Sequence, residues 1–155
     1  MVHAYFKSLV MKKALGIYLG LLAFLFLTAF CLSNDAGTLK VEIAGLRSSK
    51  GVVLVTLFKE GKGYPDEPEK AFKKTKISIV DNKASIDFTN IPAGEYAIVV
   101  LHDENNNLKM DKNLGIPKEG YGFSNNVMGL MGPPSFSKAS FKFEGKQVVE
   151  IKMRY

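Results

Sequence analysis

The chain has 155 residues, room for one domain and a short extension, and its 21 Lys and Arg against 15 Asp and Glu give a formal net charge of +6. Lys7, Lys12 and Lys13 all fall within residues 1–33, so the remainder carries 18 basic against 15 acidic residues, a net of +3, too little and too scattered to predict a nucleic-acid partner. Cys31 is the single cysteine, which excludes a disulfide framework, and about 120 residues can bury a sufficient core without one.

The first stretch reads as a leader. Lys12 and Lys13 precede an uninterrupted apolar run, Ala14 to Phe30, and polar residues follow from Ser33. A positive start, an apolar centre and a polar exit make a secretory signal, which assigns residues 1–33 to a signal peptide cleaved between about residues 31 and 36. Met11 competes with Met1 as the true start. At 17 residues the run sits at the lower limit for a retained anchor. Cys31 also admits a lipid anchor, although Phe30 before it is not the usual small residue. The expectation is an exported product, periplasmic or extracellular, with the lipid-anchored form as the alternative and the membrane met only through the leader or that lipid.

From residue 37 the pattern is that of one β domain. Leu39, Val41 and Ile43 alternate with Lys40 and Glu42, a half-buried strand. Arg47–Gly51 reads as a turn, and Val52–Phe58, apolar on both faces, as an interior strand with near-complete burial. Pro65, Pro68 and many charges interrupt the pattern over Lys59–Lys76, where Pro68 to Lys74 fits one or two helical turns. Its lysines, interleaved with Glu67 and Glu69, read as a solvated face. Ile77 and Ile79, then Ala84, Ile86 and Phe88, make two short strands around a turn at Asp81-Asn82-Lys83. Pro92 and Gly94 form a corner, with the Tyr96 phenol free to return to nearby backbone. Tyr96–Leu101 is a second interior strand. After a long loop, residues 103–136, two more strands follow: Ala139, Phe141 and Phe143, then Val149, Ile151, Met153 and Tyr155, with a turn at Glu144-Gly145-Lys146. Seven short strands with tight turns predict an all-β, antiparallel, seven-stranded β-sandwich of the prealbumin-like or Ig-like kind over residues 37–155.

The long loop is the candidate site, because an orderless loop of that size is uncommon in a compact domain unless it is functional or pinned. Asp103, Asn105, Asn107 and Asp111 occupy alternating positions 1, 3, 5 and 9, the spacing of oxygen ligands in an EF-hand calcium loop. The carbonyl of Lys109 falls at the backbone-ligand position. Leu108 stands where Gly would make the sharp turn, and Leu114 where a bidentate Glu would close the site. Glu119, or Glu104 turned inward, can supply the missing carboxylate. Two readings stay open: a weak structural Ca²⁺ site on Asp103, Asn105, Asn107, Lys109, Asp111 and Glu119, or an Asn-rich turn that satisfies its own backbone.

Catalysis has less to work with. His102 is the single histidine after the leader, and no motif marks a serine as an activated nucleophile. A zinc site lacks ligands for the same reason. The remaining enzymatic alternative is a glycosidase-like envelope hydrolase using two of the carboxylates of Asp103, Glu104, Asp111 and Glu119. Tyr121, Phe123, Met128 and Met131 offer either an exposed platform or a plug that seals the end of the sandwich. The expectation is a monomeric, non-catalytic binding or scaffolding module for a cell-envelope ligand or protein.

Three segments carry a resemblance: Phe88-x-x-Ile91-Pro92-x-Gly94-x-Tyr96; His102-Asp103-x-Asn105-x-Asn107; and Gly115-Ile116-Pro117-x-Glu119-Gly120-Tyr121-Gly122-Phe123-Ser124-Asn125-Asn126, with Gly132-Pro133-Pro134-Ser135-Phe136 behind them. Together they resemble a family of exported bacterial domains of unknown function, over about Gly37 to Tyr155. The resemblance implies a signal segment followed by one small β domain. The family often has Gly where this chain has Leu108. The corner at Tyr96 also looks like that of transthyretin-like and carboxypeptidase-regulatory-like sandwiches.

Overall fold

The computed structural model describes residues 36–155. The leader, residues 31–35 of the cleavage window and Cys31 lie outside the described residues. Ten strands appear in chain order: β1 Gly37–Ala44, β2 Val52–Lys59, β3 Lys73–Ile77, β4 Ala84–Ile91, β5 Gly94–Asp103, β6 Lys112–Asn113, β7 Ile116–Pro117, β8 Gly120–Phe123, β9 Phe141–Phe143 and β10 Lys146–Lys152. They form a sheet ordered β10-β1-β4, a second ordered β3-β2-β5-β8 with β9 also on β5, and the small hairpin β6-β7. The fold is all-β, with two sheets packed as a sandwich.

The core lies between the two larger sheets. Leu39, Val41 and Ile43 of β1, Phe88 of β4 and Ile151 of β10 meet Val53, Val55 and Leu57 of β2 and Ile98 and Val100 of β5. Period-two alternation puts these residues on one face, and burying each contributes about 1.5–3 kcal/mol. Both strands expected to be interior are so, since β2 lies between β3 and β5, and β5 between β2 and the β8–β9 edge. Their outer faces are covered less completely than expected. Phe58 and Ala97 are buried, but Leu54, Val99 and Leu101 are only half-buried, because the cover there is a small cluster of Tyr64, Phe123, Val127, Phe136 and Ala139.

Three details differ from the pattern read off the sequence. First, not every pairing is antiparallel: β10 runs parallel to β1, with Thr38 opposite Lys146 and Ile43 opposite Ile151. The turn Glu144-Gly145-Lys146 does not close a hairpin. It carries the chain from β9 in one sheet to β10 in the other, where Thr38 N–H donates to the Gly145 carbonyl at 2.8 Å. Second, β3 is Lys73–Ile77 rather than Ile77–Ile79, a lysine-rich edge strand that protects its sheet from further pairing. Third, Gly120–Phe123 is a strand inside the supposedly orderless loop, and the last sandwich strand before the crossover starts only at Phe141, after one helical turn at Phe136–Ala139.

The turn at Tyr96 is as expected, with its hydroxyl donating to the Pro92 carbonyl at 2.9 Å. Pro68–Lys70 forms a single 3-10 turn. Among the described residues no helix is long and apolar enough to cross a membrane.

Candidate functional site

The loop begins where β5 ends, at a buried pair. His102 is wholly buried, and its Nε2 lies 2.9 Å from the Lys50 carbonyl. A carbonyl only accepts, so Nε2 carries a hydrogen, and in the neutral ring Nδ1, 2.6 Å from the Tyr155 hydroxyl, then accepts from it. The Tyr155 oxygen in turn accepts the Arg47 backbone N–H at 3.0 Å, and the Arg47 guanidinium carbon stacks 4.4 Å from the Tyr155 ring centre. His102 therefore pins the last residue of the chain to the turn after β1. Burial pushes the Tyr155 phenol up from its ordinary pKa.

Asp103, next in the chain, is 0% exposed. Its two oxygens accept the backbone N–H groups of Asn107 at 3.1 Å and Leu108 at 2.8 Å. The Asn105 side-chain oxygen accepts Asn107 N–H at 3.0 Å, and the Asn107 side-chain oxygen accepts Lys109 N–H at 2.8 Å. Each alternate side chain thus folds back on the backbone two to five residues ahead and winds it into a coil. The tight turn needing glycine-like backbone is made by Leu108 itself, at φ 63°. The side-chain amides of Asn105 and Asn107 then donate to the two Asp111 oxygens at 2.7 and 3.0 Å.

Glu119 closes the loop from its far end. It is 4% exposed, and its oxygens accept Glu104 N–H at 3.0 Å and Asp111 N–H at 3.1 Å. Glu104 does not turn inward. It pairs with the Arg47 guanidinium and accepts from the Ser48 hydroxyl at 3.0 Å, and Arg47 beside it holds its carboxyl below the usual range. The same guanidinium donates to the Lys118 carbonyl at 3.2 Å.

The structure thus brings Asp103, Asn105, Asn107, Asp111 and Glu119 into one hydrogen-bonded loop, with the Lys109 backbone in its coil and the Lys109 side chain outside. Among the described residues no three of His, Cys, Asp and Glu gather into a group able to hold a metal ion, so a cation there depends on the Asn105 and Asn107 oxygens as well. Sequence reasoning missed Arg47, Ser48 and Tyr155, which meet the loop from distant positions and carry no local signal. The platform residues divide. Tyr121 and Phe123 lie on the sandwich, whereas Met128 and Met131 are exposed. A groove of about 570 Å³ along Ile43, Ser78, Val80, Lys83 and Ser85 contains no loop residue.

The family comparison bears on the same stretch, since the matched region, residues 41–152, spans both sheets and the whole loop. It is the family described as "Uncharacterized protein conserved in bacteria (DUF2141)". The chain belongs to this family. No curated protein and no solved structure matches. In this DUF2141 domain the loop from Asp103 to Glu119 hangs between β5 and β8, two neighbouring strands of one sheet paired from His102–Gly120 to Val99–Phe123. The rigid ladder fixes both loop ends, so the loop's own hydrogen bonds decide only its shape.

Proposed function

We propose that this DUF2141 chain is an exported, monomeric, non-catalytic binding module of the cell envelope, and that the coil from Asp103 to Glu119 is a weak calcium loop. The export half rests on the leader pattern of Lys12, Lys13 and Ala14–Phe30. The observation that carries the loop half is the state of its buried anions. Asp103 and Glu119 are buried and bonded to backbone N–H groups, Asp111 is held by amides, and the adjacent Arg47 is engaged by Glu104. Among the described residues none of these three carboxylates forms an ion pair, and together with the Asn105 and Asn107 oxygens such a set suits a hard cation. The donors are all oxygens, and the side chains wind the backbone at alternating positions as a calcium loop requires.

The same bonds favour binding over hydrolysis. A glycosidase needs one carboxyl to hold a proton and another to face a sugar or water, while each carboxylate here is engaged in holding the loop. With few formal charges and an irregular closing residue, affinity falls on the order of 10⁻⁴ to 10⁻³ M, the range of extracellular modules. Thermal melts test this. Millimolar calcium raises the melting temperature, magnesium raises it less, and a 100-fold excess over the dissociation constant adds about 2.7 kcal/mol. Asp103→Ala with Asp111→Ala removes the calcium-dependent shift, whatever it does to the starting temperature. Identical parent melts in calcium and in chelator would leave the Asn-rich turn as the right description.

A further inference from the structure

The base of the loop accounts for Asp103 to Asn107 and Glu119, but not for its tip. Strands β6 and β7 pair Lys112 with Pro117 and Asn113 with Ile116, so Leu114 and Gly115 are the two residues of the hairpin turn. Both have left-handed backbone, Leu114 at φ 49° and Gly115 at φ 83°. Such a turn favours Asn or Asp at its first position and disfavours a residue with a bulky side chain. Leu114 nonetheless stands there 96% exposed, Ile116 beside it is 70% exposed, and Leu108, also left-handed, is 58% exposed. None of the three adds to the core, and two of them strain the backbone. Side chains that weaken the fold and meet only solvent point to a use outside it.

The charges around them say what that use is. Between Leu108 and Lys118 the single acidic residue is Asp111, whose carboxylate is turned to Asn105 and Asn107. Lys109, Lys112 and Lys118 are exposed, and none of them forms an ion pair among the described residues. Three exposed apolar side chains interleaved along the chain with three exposed lysines match a surface that is apolar within and anionic at its face. A protein partner is the poorer match, because a stable interface buries on the order of 1,200–2,000 Å², beyond the reach of a two-residue turn and its neighbours. A bilayer needs no such area, since a small apolar tip enters the headgroup boundary while cations hold anionic lipid around it.

We propose that the tip Leu108–Lys118 docks on an anionic bilayer surface, with Leu108, Leu114 and Ile116 entering the headgroup layer and Lys109, Lys112 and Lys118 contacting lipid phosphates. This rests on the loop being the binding element of the module, but not on its base holding calcium. The test is co-sedimentation of the full chain, recovered after export, with phosphatidylcholine vesicles and with vesicles also containing phosphatidylglycerol, each in calcium and in chelator. The parent binds the phosphatidylglycerol vesicles more tightly, and rising salt weakens that binding. Leu114→Ser with Ile116→Ser, and separately Lys112→Gln with Lys118→Gln, each weaken it about tenfold, while their melts match the parent because these side chains are exposed. Parent binding that ignores phosphatidylglycerol, or that survives both double variants, overturns the proposal. Because the variants leave Asp103, Asn105, Asn107, Asp111 and Glu119 in place, the calcium-dependent melting shift is read on the same samples. Failure of the tip is thereby told apart from failure of the base.

Discussion

Glu104 shows how far a residue's role depends on partners that its neighbours in sequence do not reveal. By spacing it is one more acid in an acid-rich loop, yet it turns outward to Arg47 and Ser48, 57 and 56 residues earlier. Its pKa is lowered chiefly by the Arg47 hydrogen bonds. The stabilisation is therefore fully present above the ordinary carboxylate range and lost as pH falls through the lowered folded value. The Arg47 side chain is 47% exposed, so solvent screens the pair, and Glu104→Gln should reduce neutral-pH stability by about 0.5–1 kcal/mol. Chemical melts of parent and variant at neutral pH and through a series of falling pH measure this, and the difference between the two should shrink as pH falls through the lowered folded value. Asp103, Asn105, Asn107 and Asp111 were legible because their alternation is local. Arg47 and Tyr155 were not, since nothing in a turn residue or a terminal tyrosine announces a contact across the sandwich.

Strand β8 was hidden by its glycines. Gly120 and Gly122 occupy alternate positions, so the period-two signal that revealed β1 or β5 is missing. The structural reason is close approach: a Cβ on Gly120 would come within 2.5 Å of the Tyr155 ring, and one on Gly122 within 2.6 Å of Ile151. Beyond β8 the β5 edge has a gap, because β8 pairs Val99–His102 and β9 pairs Gly94–Tyr96. Ser124 fills it. Its buried hydroxyl accepts Ile98 N–H at 2.9 Å and donates to the Ala139 carbonyl at 2.6 Å. Ser124→Ala leaves that strand N–H unpaired in the interior and should cost about 1–3 kcal/mol. A denaturation midpoint lowered at unchanged slope is the expected reading, and an unchanged midpoint would contradict the account of the gap. The parallel β1–β10 pair was equally illegible, since a turn such as Glu144-Gly145-Lys146 does not say whether it joins neighbours or crosses between sheets.

At the scale of the whole molecule, a two-sheet sandwich holds a long loop at one end of its central strand. The loop's base is polar and turned inward, and its tip is apolar, basic and turned outward. Those properties suit the proposed role of the module at an envelope surface. Intact-mass measurement of the envelope fraction checks the export itself: the recovered chain should begin after residue 30, and one that still carries Met1 or Met11 would contradict the leader reading. Added acyl mass on Cys31 would identify the lipid-anchored form.

The base of the loop is tested most directly by a calcium titration that follows the side-chain amide resonances of Asn105 and Asn107. If their oxygens turn to a cation, both resonances move together and saturate, with half-saturation on the order of 10⁻⁴ to 10⁻³ M. If both stay fixed up to about ten times that range, Asn105 and Asn107 remain bound to Asp111 and the calcium loop is contradicted.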